Sequence, residues 1–311
     1  MPKAVAQQKN TLDKFYTRYT VAENCVMNVD KYIKVQEEDI FIEPSAGSGV
    51  FIDNVKEVFC EEIDIHGYDL SPDREDIKQQ DFTTFNLKKT YGEQPIHFIG
   101  NPPFGRSSSL CRKFIKKMCD YKNTKSISLI LPISYHKQYN QDTSFSTKFH
   151  LVFEDILGKN SFTNEVNGKK LFDCPAVFQI WERRETDRET RQKTKPVGFT
   201  YIPREKGLTA DFAICHKGSA AGKIFNPHAH NTLGPIINSS SYRFIKLDKP
   251  NPDIFDIYKQ KAFKDFKFYD MGSPTINKPE LNYEINKCIE FSNTLEKFDN
   301  LITMSMFIVN V

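Results

Sequence analysis

Four consecutive residues, Asn101 to Phe104, combine groups that can act on a flat amino group. Each proline fixes its own φ and holds the residue before it in an extended conformation, so the segment is rigid. The amide oxygen of Asn101 and the carbonyl of Pro102 are then two fixed acceptors, which suit the NH2 of a nucleobase and make its nitrogen more nucleophilic. Acceptors that do not reorganise favour catalysis, and Phe104 offers a ring for stacking on the base. We therefore take Asn101, Pro102 and Phe104 as candidate catalytic residues; the alternative is a rigid loop without a chemical role.

The elements that position this loop are predicted from six short apolar runs. They alternate with helical lengths through the first 180 residues, at 39–43, 64–69, 95–100, 126–132, 151–157 and 175–181. Apolar runs of this length, bounded by turn residues, are typical of βα units around a mainly parallel sheet. The clearest helix is 107–121, where Leu110, Phe114 and Met118 share one face and serines can cap the start. The fold class is therefore α/β. Asn101 directly follows the run at 95–100, which is the fourth strand when a shorter strand signal before Asp81 is counted.

A Gly-rich turn follows the first of these strands, in EPSAGSGV from Glu43 to Val50. Such a turn between strand and helix lets a nucleotide-like ligand approach the backbone at the carboxyl end of the sheet. Asp69 ends the next strand, about twenty residues after Gly49, where a carboxylate can accept hydrogen bonds from both hydroxyls of a ribose. Asp81 follows a shorter strand and can receive the amine of a bound adenine. The alternatives are a plain tight turn and, for Asp81, a turn cap.

Composition and charge bound the remaining possibilities. The chain has 311 residues, a net charge of +3 and seven scattered cysteines without a Cys-x-x-Cys pair, which argues against a disulfide framework or zinc site and indicates an intracellular protein. No leader or membrane span is predicted. A dense mixed-charge stretch from Glu182 to Gly198 indicates a solvated helix or linker. We therefore expect a domain at 1–190 and a smaller one at 195–311, which includes a segment rich in lysine and aromatic residues, 245–270.

These motifs resemble those of the amino-methyltransferases of DNA, in particular the N6-adenine enzymes that use S-adenosylmethionine. EPSAGSG resembles their motif I, Asp69 the ribose carboxylate, Asp81 the acid of motif III, and NPPF the catalytic motif IV. KFYTRYTVA, residues 14–22, resembles motif X, with Arg18 where proline is usual. The resemblance covers residues 14–182 and implies a seven-stranded Rossmann-like methyltransferase sheet, with 175–181 as an antiparallel strand near the edge. It assigns cofactor contacts to Tyr16, Thr17, Glu43, Ser45, Ala46, Gly47, Gly49, Asp69, Leu70, Asp81, Phe82 and Asn101, and substrate contacts to Pro103, Phe104 and Phe162.

The motif order is similar to that of the gamma class, in which a target-recognition domain follows the catalytic motif. Only about fifty residues separate Gly49 from Asn101, too few for an inserted domain, so residues 195–311 are the candidate recognition domain. Phe162, and after it Phe172, are candidates for packing on the second face of a flipped base, although core packing is the ordinary role of either. The resemblance implies double-stranded DNA as partner, a cognate restriction endonuclease as a further one, no metal, and a cytoplasmic location.

Three other activities remain open from the sequence. NPPF motifs also occur in RNA adenine methyltransferases, and protein glutamine N-methyltransferases use a related motif because a glutamine amide is also a flat NH2 donor. N4-cytosine enzymes usually carry serine in place of Asn101. Outside enzymes, a catalytically silent nucleic-acid-binding subunit is the alternative, and the intact Glu43, Asp69 and Asp81 argue against it.

Overall fold

The structure is a computed structural model that describes residues 16–105, 108–163, 171–172, 174–190, 194–227, 240–251, 253–262 and 275–309. The chain divides into two compact units, residues 1–189 and 190–311. Within the described residues, no helix is both long enough and apolar enough to cross a membrane.

The first unit is built on a seven-stranded mixed sheet. Its strands are β2 (Ile40–Glu43), β3 (Ile65–Asp69), β4 (Lys78–Gln79), β5 (Ile96–Gly100), β6 (Thr124–Pro132), β7 (Phe149–Ile156) and β10 (Ala176–Arg183). Their order is β4-β3-β2-β5-β6-β10-β7, and β10 runs antiparallel to both of its neighbours. The Rossmann-like α/β fold is confirmed, including the late antiparallel strand at 175–181.

Helices cover both faces of this sheet. They are α1 (Tyr19–Tyr32), α2 (Val50–Val58), α3 (Leu87–Tyr91), α4 (Ser109–Asp120) and α5 (Gln138–Ser144). Adjacent strand residues point to opposite faces: Ile99 lies in the core cluster that holds the buried residues of α1 and α2. Phe98 contacts the Phe82 ring at 5.9 Å, and Phe82 contacts Phe114 of α4 at 5.1 Å between centroids. Therefore α1 and α2 cover one face and α4 the other.

The helix predicted at 107–121 is observed as α4. Phe114 and Met118 are buried as expected, together with Cys111 and Ile115. The predicted serine cap is wrong for Ser108, which precedes the helix with a φ of 60° and makes no capping hydrogen bond through its side chain. The apolar face, rather than a cap, therefore determines where this helix packs.

A second, small sheet joins the start of the chain to the region after β7. Its strands are β1 (Tyr16–Thr17), β8 (Phe162–Thr163) and β9 (Leu171–Phe172), all antiparallel. Thr17 pairs with Phe162, and Phe162 pairs with Phe172. Residues 15 and below, and 164–170, lie outside the described residues. The small sheet fixes Tyr16 and Thr17 in space, which a two-residue segment does not do alone.

The charged stretch after β10 is largely exposed, as the sequence predicts, but two of its arginines are held by the first unit. β10 itself continues to Arg183, whose guanidinium donates to the carbonyls of Thr124, Cys119 and Tyr121. Arg188 forms an ion pair with the fully buried carboxylate of Asp142. Arg183 and Arg188 therefore hold this stretch against the first unit, whereas residues 184–187 are exposed; residues 191–193 lie outside the described part.

The second unit is a four-stranded antiparallel sheet with two helices. Its strands are β11 (Phe199–Ile202), β12 (Phe212–Cys215), β13 (Ile224–Phe225) and β14 (Tyr242–Leu247), in the order β11-β14-β12-β13. Its helices are α6 (Ile254–Lys261) and α7 (Lys278–Val309), with a 3₁₀ helix at Arg204–Thr209. Phe212, Ile245, Tyr258 and Leu281 join strands and helices in one core. This unit therefore has a core of its own.

Candidate active site

The candidate catalytic loop leaves the sheet directly beside a buried carboxylate. Gly100, the last residue of β5, has a φ of 145° and lies against Glu43 at the end of β2. A Cβ at Gly100 would stand 3.1 Å from the Cγ of Glu43, closer than ordinary van der Waals contact. The glycine thus lets the loop pass the carboxylate.

Asn101 is held by two other parts of the first unit. Its side-chain nitrogen donates to the hydroxyl of Thr17 at 3.2 Å. The hydroxyl of Ser45, in the Gly-rich turn, donates to the backbone carbonyl of Asn101 at 3.2 Å. The Thr17 contact sets the plane of the amide, because its nitrogen is directed at the small sheet. Residues that the sequence places in three separate motifs therefore meet at Asn101.

The Gly-rich turn is closed by Asp69. The carboxylate accepts from the backbone N–H of Gly47 at 2.8 Å and from that of Ser71 at 2.8 Å. Ala46 donates its N–H to the carbonyl of Tyr68 at 2.8 Å, which joins the turn to β3. Gly49 begins α2 with a φ of 80°, a left-handed conformation that favours glycine. Asp69 thus holds the turn and lies at the carboxyl edge of β3.

Glu43 is a buried carboxylate with an unsatisfied oxygen. The residue is 2% exposed, and its Oε2 has no hydrogen-bond partner among the described residues. Burial raises the pKa of Glu43 well above its usual range, and the neighbouring carboxylates of Asp69 and Asp53 raise it further. A buried carboxylate needs a compensating positive charge, so this position suits a cationic ligand.

Two residues missed by sequence reasoning hold the Gly-rich turn from the loop after β3. The Arg74 guanidinium donates to the Asp53 carboxylate at 2.7 Å and lies over Gly49, where a Cβ would stand 2.5 Å from its Nη1. Asp73 accepts a hydrogen bond at 2.9 Å from Tyr16, whose pKa rises to about 12 through burial and this bond. The charged run SPDRED (71–76), directly after Asp69, is the sequence signal that could have found them.

The rest of NPPF lies between the site and the core. Pro102 is buried, whereas Pro103 and Phe104 are half-buried. Phe104 packs against the core cluster beneath the α1 and α2 face. Its carbonyl accepts from the N–H of Cys111 at 3.4 Å, which connects the loop to α4. The exposed part of the Phe104 ring is the surface on which a base can stack.

The remaining predicted cofactor residues differ in exposure. Asp81 is exposed, and its Oδ1 accepts from the N–H and hydroxyl of Thr83 at 2.8 and 2.7 Å, so it caps its own turn. Phe82 is 1% exposed and packs in the core, while Leu70 is 55% exposed. Of these, Leu70 alone offers a large apolar surface to a ligand in this conformation.

The two aromatic candidates for the second face of a base lie in the small sheet. Phe162 is 1% exposed and belongs to the same core cluster as the buried residues of α1. In this conformation its ring therefore has the ordinary core role and presents no face to a base. Phe172 is defined here by its backbone pairing with Phe162, so its role stays a prediction.

No protein-family model matches the chain, and no curated protein matches its sequence. Among solved structures, it is similar to the 23S rRNA methyltransferase ErmE, with 13% identity, 55% of this chain and 71% of that chain covered, and a TM-score of 0.40. It is also similar to the type I restriction-modification methyltransferase subunit from Streptococcus thermophilus, with 14% identity, 59% of this chain and 49% of that chain covered, and a TM-score of 0.42. Its similarity to TrmN from Thermus thermophilus has 11% identity, covers 54% of this chain and 52% of that chain, and has a TM-score of 0.39. The chain spans about half the length of these last two proteins, and any assignment of function rests on the site itself.

Proposed function

We propose that the protein transfers the methyl group of S-adenosylmethionine to N6 of an adenine flipped out of duplex DNA. The observation that carries this proposal is Asn101, whose side-chain amide and backbone carbonyl are held by Thr17 and Ser45 in a loop stiffened by two prolines. Pre-aimed acceptors at the carboxyl edge of a Rossmann-like sheet suit an NH2 group presented beside a bound nucleotide.

The residues at this edge fit S-adenosylmethionine by charge and shape. The cofactor is cationic at its methionine end, and Glu43 is a buried carboxylate with an oxygen that lacks a partner. Asp69 and the Gly-rich turn would hold the ribose and methionine, with Leu70 beside the adenine and Tyr16 and Thr17 near the methionine. Asp81 would accept the adenine amine through the carboxylate that also caps its turn. When bound, S-adenosylmethionine supplies an electrophilic methyl group on a sulfonium.

The chain's own groups would act on the base rather than on the methyl group. The Asn101 amide oxygen and the Pro102 carbonyl accept the two N6 hydrogens, so the nitrogen lone pair is withdrawn from the ring and becomes nucleophilic. Phe104 stacks on the base, with Pro103 beside it, and keeps the amine in the plane of the acceptors. Because these acceptors are already in place, little reorganisation opposes the reaction.

The choice of DNA over RNA or protein rests on the resemblance in motif order and on the second unit. Residues 199–289 contribute a separate sheet, helices and core, which is the architecture expected of a recognition domain that follows the catalytic motif. Lysine side chains of this unit would contact phosphates.

The experiment is transfer of labelled methyl from S-adenosylmethionine to unmethylated duplex DNA, structured RNA and a protein extract in parallel. We expect label in DNA with the natural protein and none with Asn101→Ala. Label only in RNA or protein would overturn the substrate; label in none of the three would overturn the activity.

A further inference from the structure

The two faces of the first unit carry opposite charge. On the face covered by α1 and α2, segments 19–38 and 50–62 hold eight carboxylates against three lysines: Glu23, Asp30, Glu37, Glu38, Asp53, Glu57, Glu61 and Glu62 against Lys31, Lys34 and Lys56. On the α4 face, segments 87–93 and 109–122 hold seven cations against two carboxylates: Lys88, Lys89, Arg112, Lys113, Lys116, Lys117 and Lys122 against Glu93 and Asp120. We call these seven cations and the elements that carry them the α3–α4 surface.

The α3–α4 surface is continuous. The Tyr121 hydroxyl, just after α4, donates to the carbonyls of Gly92 and Gln94 at 3.1 and 2.8 Å and so joins the ends of the two helices. Between the helices lies an open cleft of about 460 Å³, whose lining includes Lys88, Lys117 and Lys122. Three of the seven cations therefore line one groove, together with Glu93 and Asp120, and the other four lie on the helices that border it.

Four of these seven cations are exposed and form no ion pair with a described residue. Among the described residues, Lys116 pairs with Asp120 at 2.7 Å and Lys88 lies 3.9 Å from Glu93. Lys117 donates to the carbonyl of Thr83 at 3.0 Å. The exposed Lys89, Arg112, Lys113 and Lys122 make no ion pair there. The α3–α4 surface therefore carries a net positive charge.

The charge pattern of α4 opposes the stability of the helix. Arg112 with Lys116, and Lys113 with Lys117, are like-charge pairs at i, i+4, which destabilise a helix. The first turn contains no acidic residue that would complement the helix dipole. Local conflicts of this kind are expected at functional or strained sites.

We infer that the α3–α4 surface binds the phosphodiester backbone of the nucleic acid whose base enters the active site. This inference rests on the proposed function for the kind of substrate. The helix begins five residues after Phe104, and its 12 residues extend about 18 Å. That length corresponds to about five base-pair steps along the axis of a duplex, at 3.4 Å each. The surface contributes affinity and position on the polymer and does not act on the reacting base.

The test measures binding of the full chain to a 30-base-pair duplex DNA and to an RNA hairpin, without cofactor, across a salt series. The variant is Arg112→Gln/Lys113→Gln/Lys122→Gln, and the matched control is Lys31→Gln/Lys34→Gln/Lys56→Gln, which removes the same charge from the opposite face. We expect the slope of log Kd against log salt to fall by about 2 to 3, and Kd near 0.15 M salt to rise about 10- to 100-fold, in the α3–α4 variant alone.

Folding and charge identity have separate controls. The substitutions at Arg112 and Lys113 remove one charge from each like-charge pair of α4. The thermal midpoint of the α3–α4 variant should therefore not fall. The conservative variant Arg112→Lys/Lys113→Arg/Lys122→Arg should keep the slope of the natural protein.

Three outcomes would overturn the inference: an unchanged slope, an equal loss in the control, or no binding to either polymer. Methyl transfer to DNA together with an unchanged salt slope in the α3–α4 variant would refute the role inferred for this surface, and the proposed function would remain. A reduced slope in a protein that methylates nothing would overturn the proposed function and leave the surface standing. The DNA and RNA arms distinguish the source of the phosphates.

Discussion

The chemistry of the site depends on a few residues that would be exposed to solvent in the unfolded chain and that have specific partners or are buried in the fold. Asn101 is a common residue in loops, but here Thr17 and Ser45 hold its amide and carbonyl. Glu43 is ordinary in sequence, but in the fold it is a buried carboxylate with an unsatisfied oxygen. The role of such residues therefore follows from contacts between segments far apart in the chain.

Asn101→Ala should remove turnover and leave cofactor binding intact. The substitution deletes an acceptor of the N6 hydrogens, so kcat should fall by about 10²- to 10³-fold or more, while the Kd for S-adenosylmethionine changes less than about threefold. Single-turnover kinetics and calorimetric titration of the cofactor measure the two quantities. A comparable loss of cofactor affinity would mean that Asn101 serves mainly the cofactor.

Glu43 should make cofactor binding depend on pH. Burial raises the pKa of this carboxyl well above its usual range in the free protein, whereas a cationic ligand favours the carboxylate and lowers that pKa. Binding therefore releases a proton, and the affinity should increase as pH rises until the pKa of the free protein is passed. Titrations between about pH 5 and 9 should show this trend, and Glu43→Gln should bind more weakly with the trend removed. An identical pH profile in the variant would contradict the assignment.

At the scale of elements, the apolar runs and the Gly-rich turn were predictable because their causes are local. Runs such as Ile96–Gly100 and Ala176–Arg183 are strands in the structure because both faces of the sheet are covered. The small sheet was not predictable, since Tyr16–Thr17 is too short to carry a pattern and its partner Phe162 is about 145 residues away. The position of Arg188 was missed for the same reason: its charge predicts solvent, and its buried partner Asp142 is distant in sequence.

Arg188→Ala should destabilise the first unit. Removal of this guanidinium breaks its ion pair with the buried Asp142 carboxylate and also removes a contact at 5.3 Å with the Trp181 ring. We expect a loss of about 3 to 5 kcal/mol in the free energy of unfolding. Arg184→Ala is the matched control, because its pair with Glu182 is exposed and should contribute about 0 to 1 kcal/mol. Denaturant titration of both variants gives the comparison; equal losses would refute the buried role of Arg188.

At the scale of the whole molecule, the two units have separate cores and different expected tasks. The buried residues of the first unit surround the mixed sheet, and those of the second join β11, β12 and β14 to α6 and α7. The charged stretch predicts a boundary because dense charge cannot form a core, but it carries no information about what the second unit recognises. The specificity of recognition depends on exposed side chains, and the hydrophobic periodicity of a sequence does not describe them.

The fragment 1–189 should fold and bind S-adenosylmethionine with an affinity within about threefold of the full chain, since separate cores permit independent folding. It should lose methyl transfer to DNA, because the recognition contacts are proposed to lie in the second unit. Calorimetric titration and a methyl-transfer assay test both expectations. Full activity of the fragment on DNA would contradict the role given to residues 195–311.

The most direct test of the central claim is to identify the atom that receives the methyl group. Labelled product from the natural protein is digested to nucleosides and separated by chromatography with mass spectrometry against methylated standards. The fixed acceptors of Asn101 and Pro102 predict methyl on the exocyclic nitrogen of adenine, as N6-methyladenine. Methyl on a ring nitrogen, a ring carbon or a ribose oxygen would contradict the account, because none of these positions presents an NH2 group to the two acceptors.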